Sequence, residues 1–358
     1  MKQTASVTSE QAVNKPLSTT INHQILLNSR PIGTPTAANF KLQEGTVPTP
    51  SDGQVLLRTL YLSLDPYMRG RMSDAESYAP PVKLDDVMVG STVSIVETSL
   101  NVDYQLGDLV LSSNGWQEYA LSDGKGLIKL DKSHLNPSLN LGVLGMPGFT
   151  AYMGLLDIGQ PKRNETVVVA AASGAVGAVV GQIAKIKGCY VIGIAGGADK
   201  CRYVVNDLGF DICLDHHAED FAQQLSDACS KGIDIYFESV GGKVFDAVLP
   251  LLNTKARIPV CGLIASYNNI NLPHGPDRLG MLEGILLRKR IKMQGFIIFD
   301  DYGSRYPEFV KQMTTWLKQD KVKFLEDITE GLEKAPEAFV GLLKGKNFGK
   351  LIVRVSQA

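Results

Sequence analysis

A chain of 358 residues, 44% hydrophobic and 20% charged, is long enough for two folded units of ordinary size. A formal net charge of −1 gives no general attraction to nucleic acid or to an acidic membrane face. No apolar run is long enough to cross a bilayer. The polar start, MKQTASVTSEQAVNKPLSTT, has no apolar signal core. Residues 1–20 therefore read as a mobile tail, and the protein as cytosolic. The five cysteines (Cys189, Cys201, Cys213, Cys229, Cys261) form no C-x-x-C, and most sit in or beside apolar runs. They read as small buried hydrophobes in a reducing compartment.

The first half carries short β-like runs separated by Pro, Gly and Asp: GQVLLRTLYLSL, GSTVSIVET, GDLVLSS. That spacing predicts a β-rich unit of barrel or sandwich type. From Glu165 the texture changes. ETVVVAAA predicts a buried strand, AVGAVVGQIAKIKG an amphipathic helix ending at Gly188, CYVIGIAG a second strand and DKCRYVVNDLG a second helix. DICLDH, IDIYFESV, ARIPVCGL and IKMQGFII are four further strand candidates, most of them separated by helical segments. Such alternation predicts a doubly wound parallel sheet. After YPEFVKQMTTWLKQDK the chain ends in GKNFGKLIVRVS, a strand expected to rejoin the β-rich unit.

The first turn of the doubly wound unit reads A-x-G-x-x-G, from Ala172 through Gly174 to Gly177. A glycine pattern alone is weak, but here a strand precedes it, a helix follows, and a βαβ unit closes about 30 residues on. Gly174 lets backbone approach a pyrophosphate, and Gly177 lets helix and strand pack closely. The free N–H groups of the helix start face the phosphates. Ala172 suits the first turn if its φ is negative. The second strand ends in Ala195-Gly196-Gly197, without the acid that holds a ribose 2′-hydroxyl in NAD sites. Lys200 and Arg202 follow, which suits a 2′-phosphate and therefore NADPH. Asp199 reads as a first-turn helix acid.

Metal and hydrolytic signatures are missing. The histidines are His23, His134, His216, His217 and His274; adjacent His216 and His217 on a strand would point to opposite faces. No G-x-S-x-G elbow or H-E-x-x-H helix occurs. The basic cluster LLRKRIK reads as a solvated helix end.

LSLDPYMRGRM (Leu62–Met72), GMPGFTAYMGLLDIG (Gly145–Gly159), AASGAVGAVVGQIAKIKG, GGKVFDAVLPLLN, CGLIASYN and GLLKGKNFGK complete the pattern. Together they resemble the medium-chain dehydrogenase/reductase superfamily, and within it the leukotriene/prostaglandin reductase family of alkenal and enone reductases. The branch of bacterial curcumin reductases is the most similar. The likeness covers about residues 22 to 356. It implies an α/β fold: a β-rich GroES-like catalytic domain over 21–149, a Rossmann domain over 150–322, and a return to the first over 323–358. It implies NADPH, reduction of a C=C bond conjugated to a carbonyl, and a homodimer with IKMQGFII near the seam. Zinc members of the superfamily carry an early cysteine; this chain has none before Cys189, which points away from a metal.

The resemblance also implies roles by position. Gly174, Ala175, Val176 and Gly177 meet the pyrophosphate, and Lys200 the 2′-phosphate. Cys261, Gly262, Leu263, Ile264, Ala265, Ser266 and Tyr267 form one cofactor segment, and Phe296, Ile297 and Ile298 lie near the nicotinamide. Asn347 is a further contact, and Met146 and Thr150 line the nicotinamide pocket. His216 stands where animal members have Tyr. Ser239 stands where the family has Asn and reaches less far. Tyr67, Tyr78 and Tyr267 are expected at the substrate, with Tyr267 the catalytic candidate; position alone leaves open whether Tyr267 packs or works. Trp116 and Phe296 are further candidate aromatic walls for a flat enone. Asp65 and Arg69 are expected to pair with each other. A quinone reductase and a non-catalytic NADPH-binding protein are the alternatives. The DPYMR and CGLIASYN pair speaks against the first, and Lys200, Tyr267 and Asn347 against the second.

Overall fold

The computed structural model describes residues 21–131, 136–269 and 278–357. The expected tail, His134 and His274 lie outside the described residues.

An antiparallel hairpin, β1 (Ile21–Leu27) with β2 (Phe40–Thr46), opens the chain. Five of the strands of a seven-stranded sheet follow: β3 (Val55–Ser63), β4 (Thr92–Ser99), β5 (Leu109–Ser112), β6 (Tyr119–Ser122) and β7 (Ile128–Lys129). β3 is its hub, pairing antiparallel with both β4 and β6, and most of its residues are buried. That explains an apolar run with little alternation.

The second sheet holds six parallel strands. They are β8 (Thr166–Val169), β9 (Tyr190–Ala195), β10 (Ile212–Asp215), β11 (Ile233–Phe237), β12 (Leu252–Val260) and β13 (Lys292–Gly295). Their order is β10-β9-β8-β11-β12-β13. Renumbered within the unit this is 3-2-1-4-5-6, the doubly wound order, with a switch point between β8 and β11. Val167 and Val169 join the apolar cluster on one face and Val168 the cluster on the other. A strand covered on both sides reads as continuous valine.

The chain then returns as expected. β14 (Glu326–Glu330) and β15 (Lys350–Arg354) complete the seven-stranded sheet, with β15 antiparallel to β3. Two sequence expectations change here. Trp116 is fully buried, stacked on Phe40 at 5.4 Å and edge-on to Phe339 at 5.7 Å. It is core rather than a pocket wall, because the returning chain brings Phe339 over it. Asp65 and Arg69 do not pair. Asp65 accepts from Lys350 Nζ at 2.9 Å and from the Ser63 hydroxyl, while Arg69 donates to Asn268 and to the Gly33 carbonyl.

Candidate active site

A cavity of about 720 Å³ runs along the C-terminal ends of the parallel strands, the place where open α/β sheets present a ligand crevice. Residues following all six strands line it: Gly174 after β8, Gly196 after β9, His216 after β10, Ser239 after β11, Cys261 after β12 and Phe296 after β13. The β-rich unit closes it with Tyr67, Tyr78, Lys350 and Leu351, among others.

The first loop is built for close approach. The left-handed residue is Ala171, at φ 48°; Ala172 stays at negative φ and packs its methyl toward β9. A Cβ on Gly177 would sit 2.4 Å from the Ala171 carbonyl oxygen and 2.9 Å from that of Ala170, so no side chain fits there. Helix Gly177–Ile186 starts at this glycine, so the positive end of its dipole lies at the cavity. Gly174 forms a bridge to Gly349, which brings the returning chain onto the loop. Asn347 lines the cavity beside it and donates to the Gly349 carbonyl at 2.8 Å.

At the far end, β9 stops in small residues. A Cβ on Gly196 would lie 2.9 Å from His217 Nε2 and 3.1 Å from His216 Nε2. The two rings are 4.1 Å apart and both line the cavity, contrary to the opposite-faces expectation. The strand ends at Asp215, so alternation no longer governs the next two residues. Asp215 Oδ1 fixes the turn by accepting from Gly197 N and His217 N, each at 3.0 Å, and these bonds hold its carboxyl below the usual range. Lys200 lines the cavity from helix Ala198–Asn206 and donates to the Gly345 carbonyl at 2.6 Å. Burial lowers its pKa, and burial with the neighbouring His217 lowers that of His216. Arg202 is engaged by Asp199, a first-turn acid as expected.

The middle of the cavity carries the groups suited to chemistry. Tyr267 lies half-buried after a short turn, Ile264–Ser266. Its hydroxyl oxygen accepts from Leu263 N at 3.3 Å. A Cβ on Gly262 would come within 2.9 Å of that oxygen, so the glycine makes room for the phenol. Burial raises the Tyr267 pKa, and burial with Asp65 raises that of Tyr67 far above the ordinary tyrosine range. Tyr78 is 58% exposed at the mouth. Met146 and Thr150, one turn apart in helix Met146–Met153, line the cavity with Phe296, Ile297 and Ile298. Gly174, Ala175, Val176 and Gly177 also line it, as do Gly262, Ile264 and Ala265. Leu263 and Ser266 do not: Leu263 projects toward Gly241 and is 42% exposed, while Ser266 Oγ turns back onto the Leu263 carbonyl.

Three groups escaped sequence reasoning. His217, half of a poor chelate by strand alternation, lines the cavity beside His216. Glu238 directly follows β11 and is almost fully buried, and its Oε1 accepts from Val240 N, Gly241 N and the Tyr236 hydroxyl. It ties down the turn that presents Ser239, and burial raises its pKa. Its only sequence signal was an acid closing an apolar strand before S-V-G-G. Lys350 lines the cavity while 4% exposed and neutralises Asp65. Among the described residues no group of three or more His, Cys, Asp or Glu is placed to hold a metal.

The glycine cradle, the helix start and the small strand end with its basic neighbours fit a phosphorylated dinucleotide. Residues 23–130 match a family profile described as the N-terminal domain of oxidoreductase, and residues 175–315 one described as zinc-binding dehydrogenase. The chain is 65% identical over 335 residues to an NADPH-dependent curcumin reductase of Escherichia coli (strain K12), covering 94% of this chain and 97% of that one. It is 42% identical over 328 residues to prostaglandin reductase 1 of Mus musculus, covering 90% and 95%. The crystal structure of CurA from Vibrio vulnificus in complex with NADPH superposes with a TM-score of 0.92 at 63% identity, covering 94% of this chain and 100% of that one. Sequence, fold and cavity agree: the chain belongs to the medium-chain dehydrogenase/reductase superfamily, among the relatives of the curcumin and prostaglandin reductases.

Proposed function

We propose that this protein reduces the C=C bond of α,β-unsaturated ketones and aldehydes, curcumin-type enones included, with NADPH. The observation that carries the reading is one cavity joining a dinucleotide cradle to Tyr67, Tyr78 and Tyr267. The similarity to curcumin and prostaglandin reductases supports it. NADPH, when bound, would supply a hydride to the carbon β to the carbonyl, and the enolate so formed would take a proton at the α-carbon from water or from the Tyr267 phenol. The backbone of residues 174–177 holds the pyrophosphate, and Lys200 with His216 takes the 2′-phosphate. Met146, Thr150, Phe296, Ile297 and Ile298 wall the nicotinamide end, and Cys261 and Asn347 are further cofactor contacts. Ser239 adds a shorter contact than the family's Asn.

Tyr267 is the oxyanion donor. Its oxygen already accepts one bond, from Leu263 N, so its O–H is free to donate into the cavity. Burial keeps the phenol protonated, and therefore a donor, as enolate charge develops. Lys350 removes the negative charge of Asp65 from the same space. Tyr67 and Tyr78 frame a flat substrate.

We read 21–149 with 323–358 as the catalytic domain and 150–322 as the cofactor domain. We place the protein in the zinc-independent branch, because its first half lacks cysteine. A cytoplasmic homodimer fits the rest: β13 ends the six-stranded sheet with Met293 exposed, and pairing with a twin would cover it. The test is loss of NADPH absorbance with enals, enones, curcuminoids and quinones. Turnover of enals and enones to saturated carbonyls is expected, and turnover of quinones alone would overturn the reading.

A further inference from the structure

Arg69 is 6% exposed as a whole residue, and its guanidinium meets no carboxylate among the described residues. Its Nε donates to Asn268 Oδ1 at 3.0 Å and its Nη2 to the Gly33 carbonyl at 2.9 Å. Burying a cation against neutral acceptors is unfavourable, and a shape-matched apolar side chain would fill the space without that cost. The chain positions joined here are informative. Arg69 sits in helix Met68–Arg71, directly after Tyr67. Asn268 directly follows Tyr267. One buried side chain therefore spans from the loop carrying one cavity phenol to the loop carrying the other, across 199 residues of sequence. Arg69 itself does not line the cavity.

We propose that Arg69 is a positioning residue, whose fork on Asn268 and Gly33 sets the gap between Tyr67 and Tyr267 in which the enone lies. The proposal rests on the reductase reading above. A planar fork reaches two acceptors on two loops in one fixed geometry, which a lysine ammonium does not reproduce. Loosening the gap spoils the approach of reacting atoms, where a misplacement of roughly 1 Å costs up to ~10²-fold in rate. The nucleotide cradle stays intact, so NADPH binding is spared. Asn268 is only half-buried, so its variants test the latch without threatening the core.

The experiment uses the full chain with 4-phenylbut-3-en-2-one and NADPH. Wild type is measured first; if it does not turn over, the reductase reading falls on its own. Arg69→Met, Arg69→Lys, Asn268→Ala and Asn268→Asp follow, each with kcat, KM, NADPH Kd and hydrogen exchange of the 263–269 segment. We expect the first three to lose about tenfold or more in kcat. Their NADPH Kd should stay within about twofold, and exchange at 263–269 should speed up. Asn268→Asp keeps the acceptor and adds an anion, so it should stay within about threefold of wild type. The proposal is overturned by wild-type kcat in both Arg69→Met and Asn268→Ala, or by unchanged exchange in both. It is equally overturned if Asn268→Asp fails as badly as Asn268→Ala.

Discussion

Lys350→Met should destabilise the protein through the partner it abandons. Lys350 and Asp65 are 5% and 6% exposed at their side chains and 2.9 Å apart, and Lys350 Nζ also donates to the Leu64 carbonyl at 2.8 Å. Methionine fills most of the lysine's volume but leaves the Asp65 carboxylate buried, with the Ser63 hydroxyl as its remaining side-chain partner. Breaking a buried pair from one side costs about 3–5 kcal/mol. Both residues line the cavity, and water entering it would rehydrate part of the charge, so the low end, about 3 kcal/mol, is expected. At about 2 °C per kcal/mol for a large chain, Tm should fall by ~6 °C. Adding Asp65→Asn removes the orphaned charge and should recover most of the loss, since replacing both partners is often close to neutral. Calorimetry and denaturant titration on the two single variants and the double variant close the cycle. A loss under about 1 kcal/mol in Lys350→Met, or no recovery in the double variant, would refute the reasoning.

Lys200→Ala should weaken NADPH binding by about 1.5–3 kcal/mol and leave NADH nearly unchanged, read by fluorescence titration; equal losses would remove Lys200 from the 2′-phosphate. If His216 meets the 2′-phosphate as proposed, NADPH affinity should depend on pH. Burial and His217 depress its pKa below the ordinary value, so it is neutral at pH 7, and a 2′-phosphate would raise it. Binding then takes up a proton, and affinity should rise as pH falls from about 7.5 toward 6, where the phosphate itself begins to protonate. NADH should lack this slope and His216→Asn should flatten it; parallel slopes for the two cofactors would contradict the assignment. Light scattering at micromolar concentration should report a dimer, and a charge at the exposed edge, Met293→Glu, should shift it toward monomer.

Local pattern made most of the fold legible. The valine run of β8, the glycine loop and the amphipathic helix after it lie within one short stretch, and each has a period or a turn rule behind it. The return of the chain to the β-rich unit was visible in the β-like run GKNFGKLIVRVS near the C-terminus, though its partner β3 was not. Within the site, Tyr267 and Lys200 could be brought to the cavity because both come within a short turn of predicted strands of the doubly wound sheet. What escaped depends on contacts between distant segments. Lys350 meets Asp65 across 285 residues, and Arg69 meets Asn268 across 199. Nothing in DPYMRG says that its acid and its arginine look in different directions. Trp116 could not be told from a pocket aromatic until Phe339 was seen against it. His216 and His217 were judged by a strand rule one residue beyond the strand's end.

Product analysis and kcat for Tyr267→Phe beside wild type carry the most weight. The substitution keeps the ring that packs near Gly262 and removes the O–H. Wild type should convert 4-phenylbut-3-en-2-one to the saturated ketone, with the carbonyl retained. In the variant kcat should fall by ~10²-fold, the low end for losing one oxyanion donor, while NADPH affinity stays nearly unchanged. An alcohol product from wild type, or a wild-type kcat in Tyr267→Phe, would contradict the mechanism proposed for this site.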